Sequence, residues 1–297
     1  MRFSTFRWPP RWGGGILSTF EKNIGVIRNT GTEVTLSAIL YQSRAVSWNV
    51  GGNLSNDNSL VVSLNPGQPP LCFGAGSPCQ GTRIVAGYPL FGEWARPIVS
   101  FADANHDGIL EANEIRYGDS AVYVGQPNPK YQVNLFTDLS VLNGRLSIHA
   151  TFAYQNGLTQ YNQGACSSQA FNNLPNAPTA TLAEQAAVVA AGCGPGVTGA
   201  SSDIITGSFI GLLQTVNTFR FQSLSINYVV PKGVSGWFRV PRMTVALQGS
   251  NLGLHTNYRG IDPDVNAFST VSAGDETVDT GQIPEPRQWW IKVDVGF

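Results

Sequence analysis

The stretch that most constrains this chain is the one from Gln288 to Phe297. Counted by twos, Trp289, Ile291, Val293, Val295 and Phe297 fall on one face. Gln288, Trp290, Lys292, Asp294 and Gly296 fall on the other. A period of two is the mark of a strand with one apolar side. A strand there needs hydrogen-bonding partners along its edges, so the stretch demands a sheet from the residues before it. Its apolar side either covers the core of a soluble β domain or looks toward hydrocarbon.

Composition favours hydrocarbon. Only 12% of the 297 residues are charged, against roughly 25% in ordinary soluble domains. Yet the chain has no run of ~18 apolar residues that would make a membrane helix. Alternating strands that average a lipid face against a wet lumen satisfy both facts. The formal net charge of −1 argues against nucleic acid as a partner, because phosphate binding needs a basic patch.

The alternation recurs along the chain. Val34, Leu36, Ala38 and Leu40 oppose Glu33, Thr35, Ser37 and Ile39. Val46, Trp48, Val50, Gly52 and Leu54 oppose Ser47, Asn49, Gly51, Asn53 and Ser55. After an irregular region from Asp57 to Lys130, a strand presents Tyr131, Val133, Leu135, Leu139 and Val141. Asn143-Gly144 is a strong hairpin signal, and Leu146, Ile148, Ala150, Phe152 and Tyr154 answer across it. Leu224, Ile226, Tyr228 and Val230 form a fifth apolar face and Met243, Val245 and Leu247 a sixth; Gly249 to Arg287 reads as irregular, and Gln288 onward is the seventh strand. None of these faces carries a charge, whereas an Arg or Lys there would cost ~2–4 kcal/mol at mid-membrane. Connections alternate short and long, the pattern of periplasmic turns and external loops. Seven is an odd count, so the stretch reads as part of a barrel.

Residues 1–22 show no period and no continuous apolar segment of a signal peptide; they are expected to be poorly ordered and distinct from 23–297. Cys72, Cys79, Cys166 and Cys193 sit in Gly/Pro/Ser-rich connections. Their spacing suggests two local staples, Cys72–Cys79 and Cys166–Cys193, although four cysteines permit three pairings, and staples imply an oxidising compartment. Thr181 and Glu184 fit a capping box for a loop helix reaching Ala191.

One loop carries recognisable chemistry. Asp103, Asn105, Asp107, Gly108 and Glu114 satisfy the pattern D-x-[DN]-x-[DN]-G-x5-E. Side-chain oxygens of Asp103, Asn105 and Asp107, the carbonyl of Ile109 and a bidentate Glu114 would give calcium an oxygen shell, with Gly108 permitting the sharp turn. No helix pattern precedes it, so it would be an isolated Ca²⁺ loop rather than an EF-hand; the plain alternative is a solvated Asp/Asn/Gly turn. No nucleophile motif accompanies His106, His149 or His255, and the chain reads as a non-enzyme. Trp48, Trp237, Trp289, Trp290, Tyr41, Tyr154 and Tyr228 suit aromatic girdles, while Phe91, Trp94 and Tyr258 in long loops are candidates for stacking on sugars.

Several stretches together resemble one family. Asn23 to Val34, the Asp103–Glu114 loop, Tyr123 to Tyr131, Phe221 to Pro231, Gly249-Ser-Asn-Leu252 and Tyr258 to Asp264 are similar to SusC/RagA-type TonB-dependent receptors. The resemblance implies an all-β antiparallel transmembrane barrel, of which this chain holds the C-terminal strands of about 22, with long extracellular loops. It implies an active transporter in the outer membrane of a Gram-negative type bacterium, for nutrients such as glycans or peptides. An N-terminal plug, the TonB complex and a SusD-like surface lipoprotein would be its companions. The competing expectation is a secreted β-sandwich that binds calcium and carbohydrate. The two differ in where the apolar faces point: outward as one band, or toward each other across ~10 Å.

Overall fold

The computed structural model describes residues 23–73, 78–162, 181–190, 208–264, 278–279 and 283–296. The segment 1–22, the Cys166–Cys193 pairing and Phe297 lie outside them. In chain order, β1 (Gly25–Gln42) and β2 (Ser47–Leu64) make a first hairpin. The next connection holds short strands: β3 (Leu71–Cys72), β4 (Gly81–Ile84), β5 (Gly92–Ala95), β6 (Ile98–Phe101), β7 (Ile115–Tyr117) and β8 (Val122–Gly125). Long strands resume with β9 (Tyr131–Val141) and β10 (Leu146–Asn162). Helix α1 (Leu182–Ala190) precedes β11 (Leu213–Val229), β12 (Arg242–Thr256), β13 (Val278–Asp279) and β14 (Gln288–Gly296).

The long strands form one sheet in the order β1-β2-β9-β10-β11-β12-β14, every neighbour antiparallel and next along the chain among the long strands. This is the up-and-down meander of a barrel wall. The two-residue β13 adds a parallel pairing at the end of β10.

Register turns seven separate alternations into one surface. Leu36 lies opposite Gly52, Gly52 opposite Leu135, Leu135 opposite Phe152, and Phe152 opposite Phe221. A second row joins Trp48, Leu139, Ile148, Ile226, Leu247 and Ile291. The apolar face is therefore continuous across the whole wall. The other face carries rows such as Asn49, Asp138, His149, Ser225, Gln248 and Trp290. Thr137 is a polar intruder on the apolar side, and its hydroxyl accepts a 2.9 Å bond from the indole N–H of Trp48. Gly249 is required where it sits: a Cβ there would lie 2.8 Å from the ring of Trp289, which covers it from β14.

No second layer stacks on the apolar face among the described residues. Leu36 is 71% exposed, Ile291 76% and Val293 50%. That arrangement overturns the sandwich expectation, in which these side chains would interdigitate. No helix among the described residues is long and apolar enough to cross a membrane.

β2, β10, β11 and β12 run further than their alternation suggested. At ~3.3 Å per residue, the 17 residues of β10 and 18 of β2 exceed the ~9–11 that cross a bilayer. The surplus extends past the apolar band at the end bearing the long connections. There the strands pack on the folded connections, so alternation is no longer enforced. The irregular region expected from Asp57 to Lys130 is instead the top of β2 followed by a four-stranded sheet, β3-β4-β5-β8, and the ribbon β6-β7. A Cys72–Cys79 disulfide staples β3 to the approach of β4, as the spacing suggested. Likewise Gly249 to Arg287 is not irregular throughout, because β12 continues to Thr256 and carries His255 in a strand rather than a loop. Helix α1 has the expected capping box: Thr181 N–H donates to Glu184 at 2.8 Å, and Glu184 N–H donates back to Thr181 Oγ1 at 3.3 Å.

Tyr258, just past β12, pins β13 to the sheet. Its hydroxyl donates to Asp279 Oδ2 at 2.6 Å in a buried setting. Burial above all, then the hydrogen bond to Asp279 and that carboxylate's charge, push the phenol far above the usual tyrosine range. A raised folded-state pKa means that the folded chain holds this proton more tightly than the unfolded chain does. The contact is thus fully stabilising below the unfolded pKa of ~10 and is lost as pH climbs above it. Tyrosinate absorbance of the folded chain should show its last tyrosine ionising well beyond the ordinary range and after Tyr161, which burial pushes up to about 12, and Tyr258→Phe should remove that last phase. Complete titration of the folded parent in the ordinary range would refute the assignment.

Candidate functional site

Two places on the wall collect functional groups. The first is the turn between β6 and β7, where the sequence pattern falls. Asp103 accepts backbone N–H bonds from Asp107 at 3.2 Å and Gly108 at 2.8 Å. Asn105 Oδ1 accepts from Asp107 N–H at 3.0 Å, and its amide donates to Asp107 Oδ2 at 3.1 Å. Asp107 Oδ1 accepts from Ile109 N–H at 2.8 Å. Glu114 closes the turn, taking the N–H groups of Ala104 at 2.7 Å and Glu111 at 2.9 Å. Gly108 has φ of 82°, a conformation that glycine adopts at no steric cost. The structure thus gathers Asp103, Asn105, Asp107 and Glu114 into one turn, while Ile109 takes part through its N–H. The oxygens are occupied by the turn's own donors. Among the described residues no group of three His, Cys, Asp or Glu side chains is arranged as a metal cluster.

Gln185 of α1, 3% exposed, holds this turn from outside. Its side-chain carbonyl accepts from Leu110 N–H at 2.8 Å and its amide donates to Gly108 O at 3.1 Å. Leu110 and Ile115 pack with Ala186 and Val189 of the same helix. A side chain 77 residues away in sequence therefore fixes the backbone on which the acidic groups hang. The helix reads from sequence; its docking on this turn does not.

The second place lies on the polar face and was not anticipated. Arg220 of β11 bonds Asn251 Oδ1 at 2.7 Å, pairs with Asp264 at 2.8 Å and also grips Asp262. Its side chain is 11% exposed and that of Asp262 6%, so this is a desolvated charge group whose partners must stay together. Burial pushes the Asp264 carboxyl above the ordinary aspartate range, Arg220 pulls it down, and Asp262 adds to the rise. Asn251 donates onward to the carbonyl of Glu285. Together these residues line a cavity of about 560 Å³ on the side of the wall that would face a lumen. Chemically it is a polar recess in which Asp264 and Glu285 remain solvent-accessible. Asp262 and Asp264 lie in the Tyr258–Asp264 stretch that carried the family resemblance, but nothing in the spacing reveals Arg220 as their partner.

Other candidates find structural roles. Phe91, Trp94 and Tyr258 are 4%, 7% and 6% exposed, so they cannot stack on sugars; Trp94 packs against Tyr88 and Tyr123 under the Arg83 guanidinium. These connections form a core of their own, which buries their aromatics. His149 lies on the polar face, 2.6 Å from Asp138, and His106 stays exposed in its turn. Trp290 lies on the polar face and so outside a girdle on the apolar band, while Trp237 stands exposed in the β11–β12 turn at the end of that band.

No protein-family model and no curated protein matches the chain. Solved structures do. The chain is similar to the structure of the RagAB peptide transporter, with a TM-score of 0.64, 18% identity, and coverage of 99% of this chain and 32% of that one. It is also similar to the RagAB peptide importer in its open-open state, TM-score 0.64, 17% identity, covering 94% and 30%, and in its closed-closed state, TM-score 0.62, 18% identity, covering 94% and 30%. The chain thus spans about a third of the length of these neighbours. At such identity the likeness establishes the fold: the antiparallel wall of a transmembrane β-barrel.

Proposed function

We propose that this chain is a portion of the barrel wall of an outer-membrane, TonB-dependent active transporter of the SusC/RagA type. The observation that carries the reading is the continuous, uncharged apolar face left open to the surroundings, backed by a polar face toward the other side. In a hydrocarbon bilayer every backbone N–H and C=O must be paired within the protein; the ladders do that between neighbouring strands and leave the outer edges of β1 and β14 for further strands of the barrel. The short turns are then periplasmic and the long connections extracellular. The neighbours are named as peptide transporters, and this reading extends a nutrient of that kind, or a glycan, to the present chain. A SusD-like lipoprotein above the long connections and the TonB complex below would complete the machine. In the same reading the Asp103–Glu114 turn is an extracellular Ca²⁺ loop, with Asp103, Asn105, Asp107 and Glu114 as donors that would exchange their backbone partners for the ion.

Two adjacent residues test the wall. Leu247 sits on the apolar face and Gln248 on the polar one, at the same depth. In lipid vesicles Leu247→Arg should lower unfolding stability by about 2–4 kcal/mol, while Gln248→Arg should cost well under that. Equal effects would sink the membrane reading. The calcium loop is tested separately by thermal unfolding. Calcium at about 100 times its dissociation constant should add about 2.7 kcal/mol, and combined Asp103→Ala and Asp107→Ala should abolish the shift. A parent chain that melts identically with calcium and with chelator rules the loop out.

A further inference from the structure

The short turns at one end of the wall share one composition. Arg44 lies in the β1–β2 turn, Arg145 in the β9–β10 turn, and Lys232, Arg239 and Arg242 in or beside the β11–β12 turn. All are exposed, and not one Asp or Glu occurs in these turns. The nearest acid on β14, Asp294, is held by Lys292 at 3.0 Å. Among these cations stand large apolar side chains without cover: Trp237 is 84% exposed, Phe238 63%, Leu142 54% and Val234 42%. The β11–β12 turn is built to present them. Lys232–Ser235 forms a single helical turn, Gly236–Phe238 a tighter one, and Arg239 closes it in the left-handed conformation with φ of 56°. Ser235, buried beneath, fixes the turn from inside.

We propose that this rim is an anchor for anionic phospholipid headgroups of the adjoining leaflet, with Trp237 and Phe238 in the interfacial zone and Lys232, Arg239 and Arg242 against lipid phosphates. Two features select a lipid surface over a soluble acidic partner. The rim is continuous with the apolar band, since Met243 and Tyr228 of the flanking strands already belong to it. In addition, an exposed indole beside exposed cations matches an interface that is half apolar and carries phosphate, where each basic residue adds to attraction. The opposite end carries charges of both signs, with Asp103, Asp107, Glu111 and Glu114 exposed or partly so beside exposed Arg116 and Arg259. The inference rests on the membrane reading of the wall and adds the chemistry of one leaflet.

The test uses the full 297-residue chain floated with vesicles of phosphatidylcholine alone or with roughly one third phosphatidylglycerol. The parent should associate with both and at least about tenfold more strongly with the anionic vesicles at low salt, a preference that high salt erases. Lys232→Gln, Arg239→Gln and Arg242→Gln together should remove the preference and keep the phosphatidylcholine level. Equal association of the parent with both vesicles overturns the headgroup anchor while the apolar band stands; association with neither overturns both. Because the parent's salt dependence is read without any variant, a turn that fails to fold in the triple substitution does not blunt the test. Lipids brominated near the headgroup should quench the parent more than Trp237→Phe; equal quenching also counts against the proposal.

Discussion

Backbone hydrogen bonding where no water can help is the constraint on which this architecture depends. An unpaired N–H or C=O in hydrocarbon costs several kcal/mol, so a wall of strands must keep its ladders complete. Pairing alone leaves the side chains undetermined, because a one-residue slip would turn a whole apolar set to the wrong side. The Asn143-Gly144 hairpin between β9 and β10 locks one such register, pairing Val141 with Leu146 and Leu139 with Ile148. From there the apolar rows propagate in both directions to β1 and β14.

Bulges show how strictly the face is kept. In β11 the apolar residues run Phe219, Phe221, then Leu224, Ile226, Tyr228; the odd step is absorbed by an irregularity between Phe221 and Ser223. Without the bulge Leu224 would join Arg220 on the polar side. In β1 the shift between Ile39 and Tyr41 sets Tyr41 opposite Trp48, so the tyrosine takes the apolar-face place that strict alternation assigns to Leu40. Each bulge adds local twist as well as re-aiming side chains, which suits a wall that must curve. A period read from sequence counts residues, whereas the ladder counts partners. That is why the seven strands, their faces and the Cys72–Cys79 staple were legible, while the faces of Phe219 and Phe221 and the bulge that swaps Tyr41 for Leu40 were not.

Beyond the apolar band the sequence carries less. Strands of two to four residues such as β3 and β4 are too short for any period to register. Their positions are set by contacts that span long separations: Gln80, 2% exposed, accepts the N–H groups of Arg96 at 3.0 Å and Phe209 at 3.1 Å. Ser208 donates to the carbonyl of Arg96. These polar residues look like loop residues in the sequence, yet they sew two long connections together. The Arg220 clamp is of the same kind, with its carboxylates 42 and 44 residues further along the chain. Buried polar groups demand partners, but the demand does not say which partners, so the candidate site was legible only in its local half, the Asp103–Glu114 turn.

The two halves of the molecule are consequently held by different forces. On the membrane reading the apolar face gains nothing by turning inward, since acyl chains are as apolar as leucine, and cohesion falls to the ladders and to side-chain bonds such as Thr151 with Ser223 at 2.7 Å. Above it, water restores the hydrophobic effect, and small clusters form: Val61, Ile84 and Phe91 at the top of β2, and Leu110, Ile115, Ala186 and Val189 at the acidic turn. Val61 belongs to both worlds, a residue of a wall strand that is 1% exposed in the core of the connections. Through such shared residues the ordering of the long connections is tied to the wall. Connections built this way keep the Asp103–Glu114 turn and the Arg220 recess at fixed positions relative to the wall, because each is bonded both to a strand or ribbon and to a residue distant in sequence.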